Sequence, residues 1–449
     1  MKQLFNNDWF FHREPLETTI DTFFNTKDWE PVDIPHDWMI YDSKDLYAQG
    51  VSCYKKTFTV PALGLDRLSI LFEGVYMDNE VYLNGEKIFT WPYGYSQFEI
   101  DLTSYVKEGE NTIWVKNTYE LPNSRWYPGS GIYRNVWLVR RPAVHFTTDG
   151  GYLSAKKEGD AFILHADYEI QNDTDSACEV TLFHTVLAPD GEVAGTSKET
   201  LTVPCGLTVN KQTMTFEAPL LWDIESPNLY TVHSEIIKDE TAFDSSDDRF
   251  GFRTIAFDPD KGFFLNGRNV KINGSCEHHT LGALGAAMNR EAVRRQLTIM
   301  QKMGVNAIRS AHNMPAPELM ELCDEMGLLL YTESFDMWEH CKTDYDYGNY
   351  FKDWWKTDLT SWVRQDRNHP SVFIWGIGNE IHDINFDRGL EVTKMLRDAV
   401  KELDYYGNAV IGMGSNIMGG EGAQKCAAEV DLVGYNYMEH LYDEHHEKY

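Results

Sequence analysis

The stretch Asp366-Arg367-Asn368-His369-Pro370, followed by Ser371-Val372-Phe373-Ile374-Trp375-Gly376-Ile377-Gly378-Asn379-Glu380, leaves this chain few folding choices. Proline has no amide hydrogen and its ring clashes with a preceding helical turn, so a helix must stop by Pro370. The apolar run that follows, bounded by proline and glycine, has the composition of a strand buried on both faces, as in parallel sheets. That run delivers an Asn-Glu pair at its carboxyl end, where α/β barrels keep their chemistry. Glu380 is therefore a candidate acid on a rigid element, with the Asn379 amide beside it to bind a substrate hydroxyl.

The surrounding sequence repeats the same strand-then-helix pattern from about residue 258. Strands are expected at Val270 to Gly274, Val305 to Ser310, Leu328 to Thr332, Val372 to Gly376, Ala409 to Met413 and Leu432 to Tyr435. Helices are expected after the Asn289 N-cap up to Gly304, at Pro317 to Met326, at Asp353 to Arg367 and at Asp387 to Leu403. Alternation of this kind predicts a TIM barrel over 258–449. The pattern supplies about six strands of the eight that close such a barrel, so the expectation is a partial barrel.

The residues before 258 read as all-β. Over 1–142, Leu68 to Phe72, Glu80 to Leu83, Thr112 to Val115 and Val136 to Val139 are short strand-like runs, and Asn84-Gly85 is a type I′ hairpin signal. A jelly-roll β-sandwich fits. Over 143–257, Phe162, Leu164, Ala166, Tyr168 and Ile170 alternate with less apolar neighbours, and Asp190-Gly191 marks another hairpin. The size suits an immunoglobulin-like β-sandwich.

With 42% hydrophobic residues the chain can form sizeable cores, and its formal net charge of −30 argues against nucleic acid and anionic membranes as partners. The start, Met1 to Asp8, shows no apolar h-region, and no run of about 18 apolar residues offers a membrane span. The seven cysteines are scattered without a C-x-x-C, which suggests reduced thiols and a cytoplasmic location.

Chemistry-bearing side chains follow each expected barrel strand. Cys276, Glu277, His278 and His279 follow the first, Arg309 and His312 the second, and Glu333, Asp336 and Trp338 the third. Asn379 and Glu380 end the fourth, and Tyr437 lies beyond the sixth. In a barrel these positions converge on one mouth, and their types suit a sugar: aromatic faces pack on pyranose rings while amides and imidazoles bond hydroxyls. Taken singly, each has a plainer explanation; Arg309 would serve equally to neutralise a buried carboxylate, and Trp362 and Trp375 belong in a core. Glu339-His340-Cys341 and Glu444-His445-His446-Glu447 lack metal-site spacing, and Gly282-Ala283-Leu284-Gly285 opens no dinucleotide-binding helix.

These residues resemble glycoside hydrolase family 2, the family of β-galactosidases and β-glucuronidases. The segment from Asp366 to Glu380 resembles its acid/base signature, and Asn306 to Pro315 through Asp324-Glu325-Met326-Gly327 resembles its other signature. Ile34-Pro35-His36-Asp37-Trp38 and Arg125-Trp126-Tyr127-Pro128-Gly129-Ser130-Gly131-Ile132-Tyr133-Arg134 resemble its sugar-binding jelly roll. The resemblance implies that Glu380 is the acid/base, that Asn379 bonds the sugar 2-hydroxyl and that Arg309 orients the nucleophile. It implies that His312 and His278 contact the sugar and that Tyr437 lies near the nucleophile; Asp336 and Trp338 join them as substrate-binding candidates. Magnesium ligands of some family members fall where this chain has Met337 and Glu339, so no metal or other cofactor is expected.

A retaining glycosidase needs two carboxyl groups about 5–5.5 Å apart. The family nucleophile ends a seventh strand that this sequence does not contain, so none is assigned here. The expectation is an amino-terminal portion, inactive or nearly so alone, of an exo-β-glycosidase acting on β-linked saccharides. β-Galactosidase is favoured because Glu277 to Gly285 and Phe335-Asp336-Met337-Trp338 look galactosidase-like, with β-glucuronidase as the alternative. A non-catalytic carbohydrate-binding protein, using Trp126 and Tyr127 as stacking faces, is a third reading. Unpaired strand edges in an open barrel predict self-association.

Overall fold

A computed structural model describes all 449 residues. Near the amino terminus a four-stranded sheet (Lys2–Leu4, Val136–Arg141, Arg67–Phe72, Phe98–Asp101) and a six-stranded sheet form the jelly-roll region. The Asn84-Gly85 turn joins Asn79–Leu83 to Glu86–Trp91, and both turn residues have positive φ, 53° and 90°, as a type I′ turn requires. The next region stacks a three-stranded sheet against a four-stranded one. Its strand Ala161–Asn172 buries Phe162, Leu164, Ala166, Tyr168 and Ile170, the five residues of the period-two pattern.

From residue 274 the chain forms one parallel sheet of six strands in sequence order. They are β1 (Gly274–Glu277), β2 (Ala307–Ser310), β3 (Leu329–Glu333), β4 (Val372–Asn379), β5 (Val410–Ser415) and β6 (Leu432–Tyr435). Helices α1 (Arg290–Lys302), α2 (Pro317–Met326), α3 (Gly348–Asp366) and α4 (Asp387–Leu403) link strands on the outside. The Asn289 side chain caps α1 by accepting from the Ala292 amide at 3.0 Å. Gly327 closes α2 with φ +70°, a left-handed conformation that favours glycine. Every residue of β4 is buried, as expected of a strand covered on both faces.

The first barrel strand lies later than the apolar run suggested. Gly262–Leu265 and Arg268–Asn269 form an antiparallel hairpin, and the Val270 amide still donates to Phe263 O at 2.9 Å. Val270 therefore packs with Trp222, Phe263 and Phe373 beneath the barrel, and the sheet begins at Gly274. The run's hydrophobicity reports burial but does not say against which sheet.

The jelly roll and the barrel share one continuous apolar core, whereas the immunoglobulin-like region has its own. Tyr93 packs against Phe335 and Tyr347, Tyr95 meets the His279 ring at 5.2 Å, and Trp91 meets Trp354 edge-on at 5.5 Å. Polar staples run through this joint. Arg134 is 0% exposed and donates to the carbonyls of Tyr95 and Met314, both at 2.8 Å. Asp37 accepts from Tyr127 Oη at 2.7 Å and from the Ala286 amide at 2.9 Å. The motif residues Asp37 and Arg134 thus serve as domain fasteners. The immunoglobulin-like region is held to the barrel floor by Asn368, which exchanges hydrogen bonds with the Leu153 amide and Gly151 carbonyl, and by a bidentate Arg364–Glu169 pair.

Asp358, on α3, sits fully buried in the joint and accepts from Ser96 Oγ at 2.6 Å and from Tyr347 Oη. Burial raises its carboxyl to about 7 against the downward pull of those hydroxyls. The folded state thus holds a proton that the unfolded chain, with an ordinary aspartate near 3.8, releases. Between about pH 4 and pH 7 the native state binds the extra proton, so this group's stabilising contribution declines as pH rises through 7. Asp358→Asn should flatten that decline, moving Tm at pH 8 relative to pH 5 by a few degrees (~1 °C per kcal/mol for a cooperative unit of this size). Differential scanning fluorimetry across pH checks it; parallel curves for both proteins would refute it.

Candidate active site

The carboxyl ends of the parallel strands bring most of the expected residues together. Glu333 ends β3 with no exposed surface; its carboxylate accepts from Arg309 Nε at 2.7 Å and contacts His312 Nδ1 at 2.6 Å. Arg309 spans to the next strand, donating from Nη2 to Asn379 Oδ1 at 2.9 Å. Asn379, fully buried, donates to Asp336 Oδ1 at 2.9 Å. The bond partners of Arg309 thus lie on β3 and β4, so its orientation is fixed by the sheet itself. Burial would depress its charge, but the Glu333 carboxylate outweighs this and raises the guanidinium further.

Glu380 follows β4 with φ +48°, an uncommon conformation for a residue with a side chain. Its amide donates to Gly414 O at 2.8 Å, which pins the turn against β5. Its carboxylate is 10% exposed and accepts from Asn436 Nδ2 at 2.9 Å and from Arg125 Nη1 at 3.3 Å. Arg125 belongs to the jelly roll and forms a two-point ion pair with Asp336, at 2.9 and 2.6 Å. Lys342 Nζ completes the cluster, donating to Asp336 Oδ1 and Asn379 O at 2.9 Å each. Burial pushes the Asp336 carboxyl up, yet the Arg125 hydrogen bonds and the Lys342 charge prevail and hold it below its ordinary value.

One wall of the mouth is aromatic. Trp126 lies 4.9 Å from the His278 ring and 6.0 Å from His312, and its indole nitrogen donates to Tyr95 Oη at 3.0 Å. Burial and the neighbouring His312 lower the His278 imidazole, which favours its neutral form. His279 turns away; its Nε2 meets Pro128 O at 2.8 Å, and burial drives it down to about 3.

Two expectations are corrected. Trp338 is 0% exposed, donates to Ile377 O at 2.9 Å and packs beneath Gly378, so no face of it meets a sugar. Its place after β3 matches the mouth residues in number but not in direction. Tyr437 is 82% exposed, and its neighbour Asn436 makes the inward bonds, to Glu380 and to Asn379 Oδ1 at 3.0 Å. With φ +60° at Tyr437, the backbone turns there and the two side chains part. Arg125, Lys342 and Asn436 were absent from the expected set. Asn436 immediately follows β6, where the strand-end rule points; Arg125 opens the Arg125–Arg134 motif, and Lys342 carries no local signal.

Family models match in series along the chain: the glycosyl hydrolases family 2 sugar binding domain over residues 26–142, the glycosyl hydrolases family 2 model over 152–253 and the family's TIM barrel domain over 259–446. The chain belongs to glycosyl hydrolases family 2. A β-galactosidase of Bacteroides ovatus is 40% identical over 395 residues, covering 84% of this chain and 46% of that protein. A family 2 member from Bacteroides cellulosilyticus superposes with TM-score 0.94 at 31% identity, covering 100% of this chain and 60% of the other. A Bacteroides uniformis β-glucuronidase gives TM-score 0.88 at 26% identity, covering 100% and 58%. The chain therefore spans about half the length of the proteins it resembles.

The residues after β3 do not fit the magnesium ligation known in some members of the family. Met337 is buried with a thioether that suits no hard cation, and the Glu339 carboxylate is committed to Arg388 at 2.6 Å. Among the side chains, no group of three His, Cys, Asp or Glu is arranged to hold a metal.

Replacing Arg309 by methionine should leave Glu333 buried with only His312 beside it. Removing one partner of a buried pair costs about 3–5 kcal/mol, so the lower end of that range is expected. Urea unfolding followed by tryptophan fluorescence measures it, and a loss under 1 kcal/mol would show that the pair bears little on the barrel.

Proposed function

We propose that this chain carries the proton-donor side of a retaining exo-β-glycosidase site, with Glu380 as acid/base and terminal β-galactosides as the substrate class. The supporting observation is the placement of the Glu380 carboxyl: it ends a buried strand, sits at the mouth and is aimed by Asn436 and Arg125 from two other parts of the chain. A general acid must hold its proton at the glycosidic oxygen with fixed geometry, and two amide or guanidinium anchors on a rigid turn supply that. Trp126, His278 and His312 form the wall against which a pyranose face packs, and the His312 Nε2 edge is left to bond a hydroxyl. The relatives named β-galactosidase favour the galactoside.

The second carboxylate of a retaining mechanism is not among the mouth residues in free form. Asp336 is ion-paired with Arg125 and Lys342, and Glu333 is ion-paired with Arg309 and hydrogen-bonded to His312. Such paired, hydrogen-bonded carboxylates are positioning groups and poor nucleophiles. The 449 residues by themselves should therefore turn over a β-galactoside at or near the uncatalysed rate. Rapid hydrolysis of nitrophenyl β-galactoside by this chain, abolished in Glu380→Gln, would overturn that statement while keeping the acid/base assignment.

A β-glucuronidase is the second reading, favoured by relatives of that name and by the position of Arg125 at the mouth, where its side chain remains 37% exposed. Calorimetric titration with non-hydrolysable nitrophenyl β-thiogalactoside and β-thioglucuronide separates the two. The galactoside should bind more tightly, and Trp126→Ala should weaken it about tenfold, the ~1–1.5 kcal/mol of a lost aromatic contact. Tighter binding of the glucuronide would transfer the assignment, and failure of both to bind would sink the glycosidase reading.

A further inference from the structure

At the opposite end of the parallel strands lies a cavity of about 180 Å³ between the immunoglobulin-like region and the barrel floor. Lys156, Lys157, Arg253, Arg367 and His369 line it, and no aspartate or glutamate does. In a chain of net charge −30 such a concentration of basic side chains is unexpected. Its floor is the Arg367–Pro370 segment that precedes β4, whereas Glu380 follows β4. At about 3.3 Å per residue the two sites are separated by roughly 25 Å.

The cations are incompletely satisfied. Arg253 donates only from Nη2, to the carbonyls of Val372 at 2.5 Å and Asn408 at 3.2 Å, leaving Nε and Nη1 without a protein acceptor. Arg367 rests 4.6 Å over the Tyr152 ring, donates to Leu403 O and Asp149 O, and keeps a buried Nε with no partner. Lys156 has the Gly407 carbonyl at 3.2 Å. His369 is engaged with Asp324 at 2.5 Å. The nearby acids are Asp324 and Asp404; neither lines the cavity, and each is hydrogen-bonded elsewhere. Asp324 also accepts from the Ser371 amide, and Asp404 accepts from Trp375 Nε1, the Asn408 and Ala409 amides and Tyr152 Oη. Burial brings Arg253 down to about 10 against the pull of Asp324 and Asp404; it lowers Lys156 too, where Asp404 opposes the shift and the Arg253 charge adds to it. Burial and mutual repulsion outweigh the pull of Asp324 and Asp404 on these two cations, and an anion in the cavity would relieve both.

We propose that this cavity binds a small oxyanion, of the class of inorganic phosphate or the carboxylate of an acidic sugar, clamped between the two domains. A guanidinium presents parallel N–H donors that match two oxygens of such a group, and the lysines add charge without geometric demand. Binding would tie strand Val144–Glu158 to the barrel floor and stabilise the junction by mass action.

The test titrates orthophosphate, and separately glucuronate, into the 449-residue protein by calorimetry at constant ionic strength set with chloride. Saturable one-to-one binding of orthophosphate is expected. The double variant Lys156→Gln, Lys157→Gln should weaken it at least tenfold with unchanged circular dichroism, and Arg253→Lys, which keeps charge but loses the fork, should also weaken it. Glucuronate binding that shows the same dependence on Lys156 and Lys157, without phosphate binding, assigns the acidic sugar as the source. Absence of saturable binding by either anion, or affinity unaltered in the double variant, overturns the proposal. The thioglycoside titrations read the mouth and are unaffected by either outcome.

Discussion

The Asp336 carboxylate is the point on which the mouth depends. Burying a carboxylate costs several kcal/mol unless its oxygens are satisfied, and here three groups from three parts of the chain do so. Arg125 arrives from the jelly roll, Lys342 from the loop after β3 and Asn379 from the end of β4. Whatever net stability the cluster provides, its geometric effect is clear: the jelly roll cannot shift without pulling Arg125 from both Asp336 and Glu380. The acid's surroundings are therefore set by a domain that lies far away in sequence.

The segment from Asp366 to Glu380 divides its labour along its length. The front half works at the barrel floor, where Asp366 accepts from Thr332 Oγ1 at 2.8 Å, Asn368 grips the immunoglobulin-like strand and His369 meets Asp324. The back half delivers Asn379 and Glu380 to the mouth. A single buried strand of eight residues connects the two. One compact stretch of sequence thus carries both a structural task and a chemical one, at opposite ends of the sheet.

Local periodicity made much of the fold legible. The alternation from Phe162 to Ile170, the Asn84-Gly85 turn, the Asn289 cap and the span Pro317 to Met326 all follow from short-range sterics and hydrogen bonding, and the structure has them where the sequence placed them. The strand-end rule gathered Glu380, Asn379, Arg309, His312, His278 and Asp336 at one mouth. It failed where direction, not position, decides. Trp338 points into the core because Gly378 leaves room for its ring, and Tyr437 points out because the backbone turns at that residue. Arg125 was invisible as a site residue because its role comes from docking of one domain on another, which no local pattern encodes. The Val270 run misled for the same reason, since its burial partner is a hairpin outside the barrel sheet.

The shared core of the jelly roll and the barrel carries a consequence for how the protein is made. Trp91 finds its partner Trp354 only after more than 250 further residues have been synthesised. At about 5–20 residues per second on the ribosome, that interval lasts from roughly a quarter of a minute to nearly a minute. Throughout it, the barrel-facing side of the strip around Trp91 and Tyr93 lacks its cover from Trp354, Phe335 and Tyr347, whereas the immunoglobulin-like region, with its separate interior, can close as soon as it emerges. In a nascent chain of this design the second domain completes its interior before the first does.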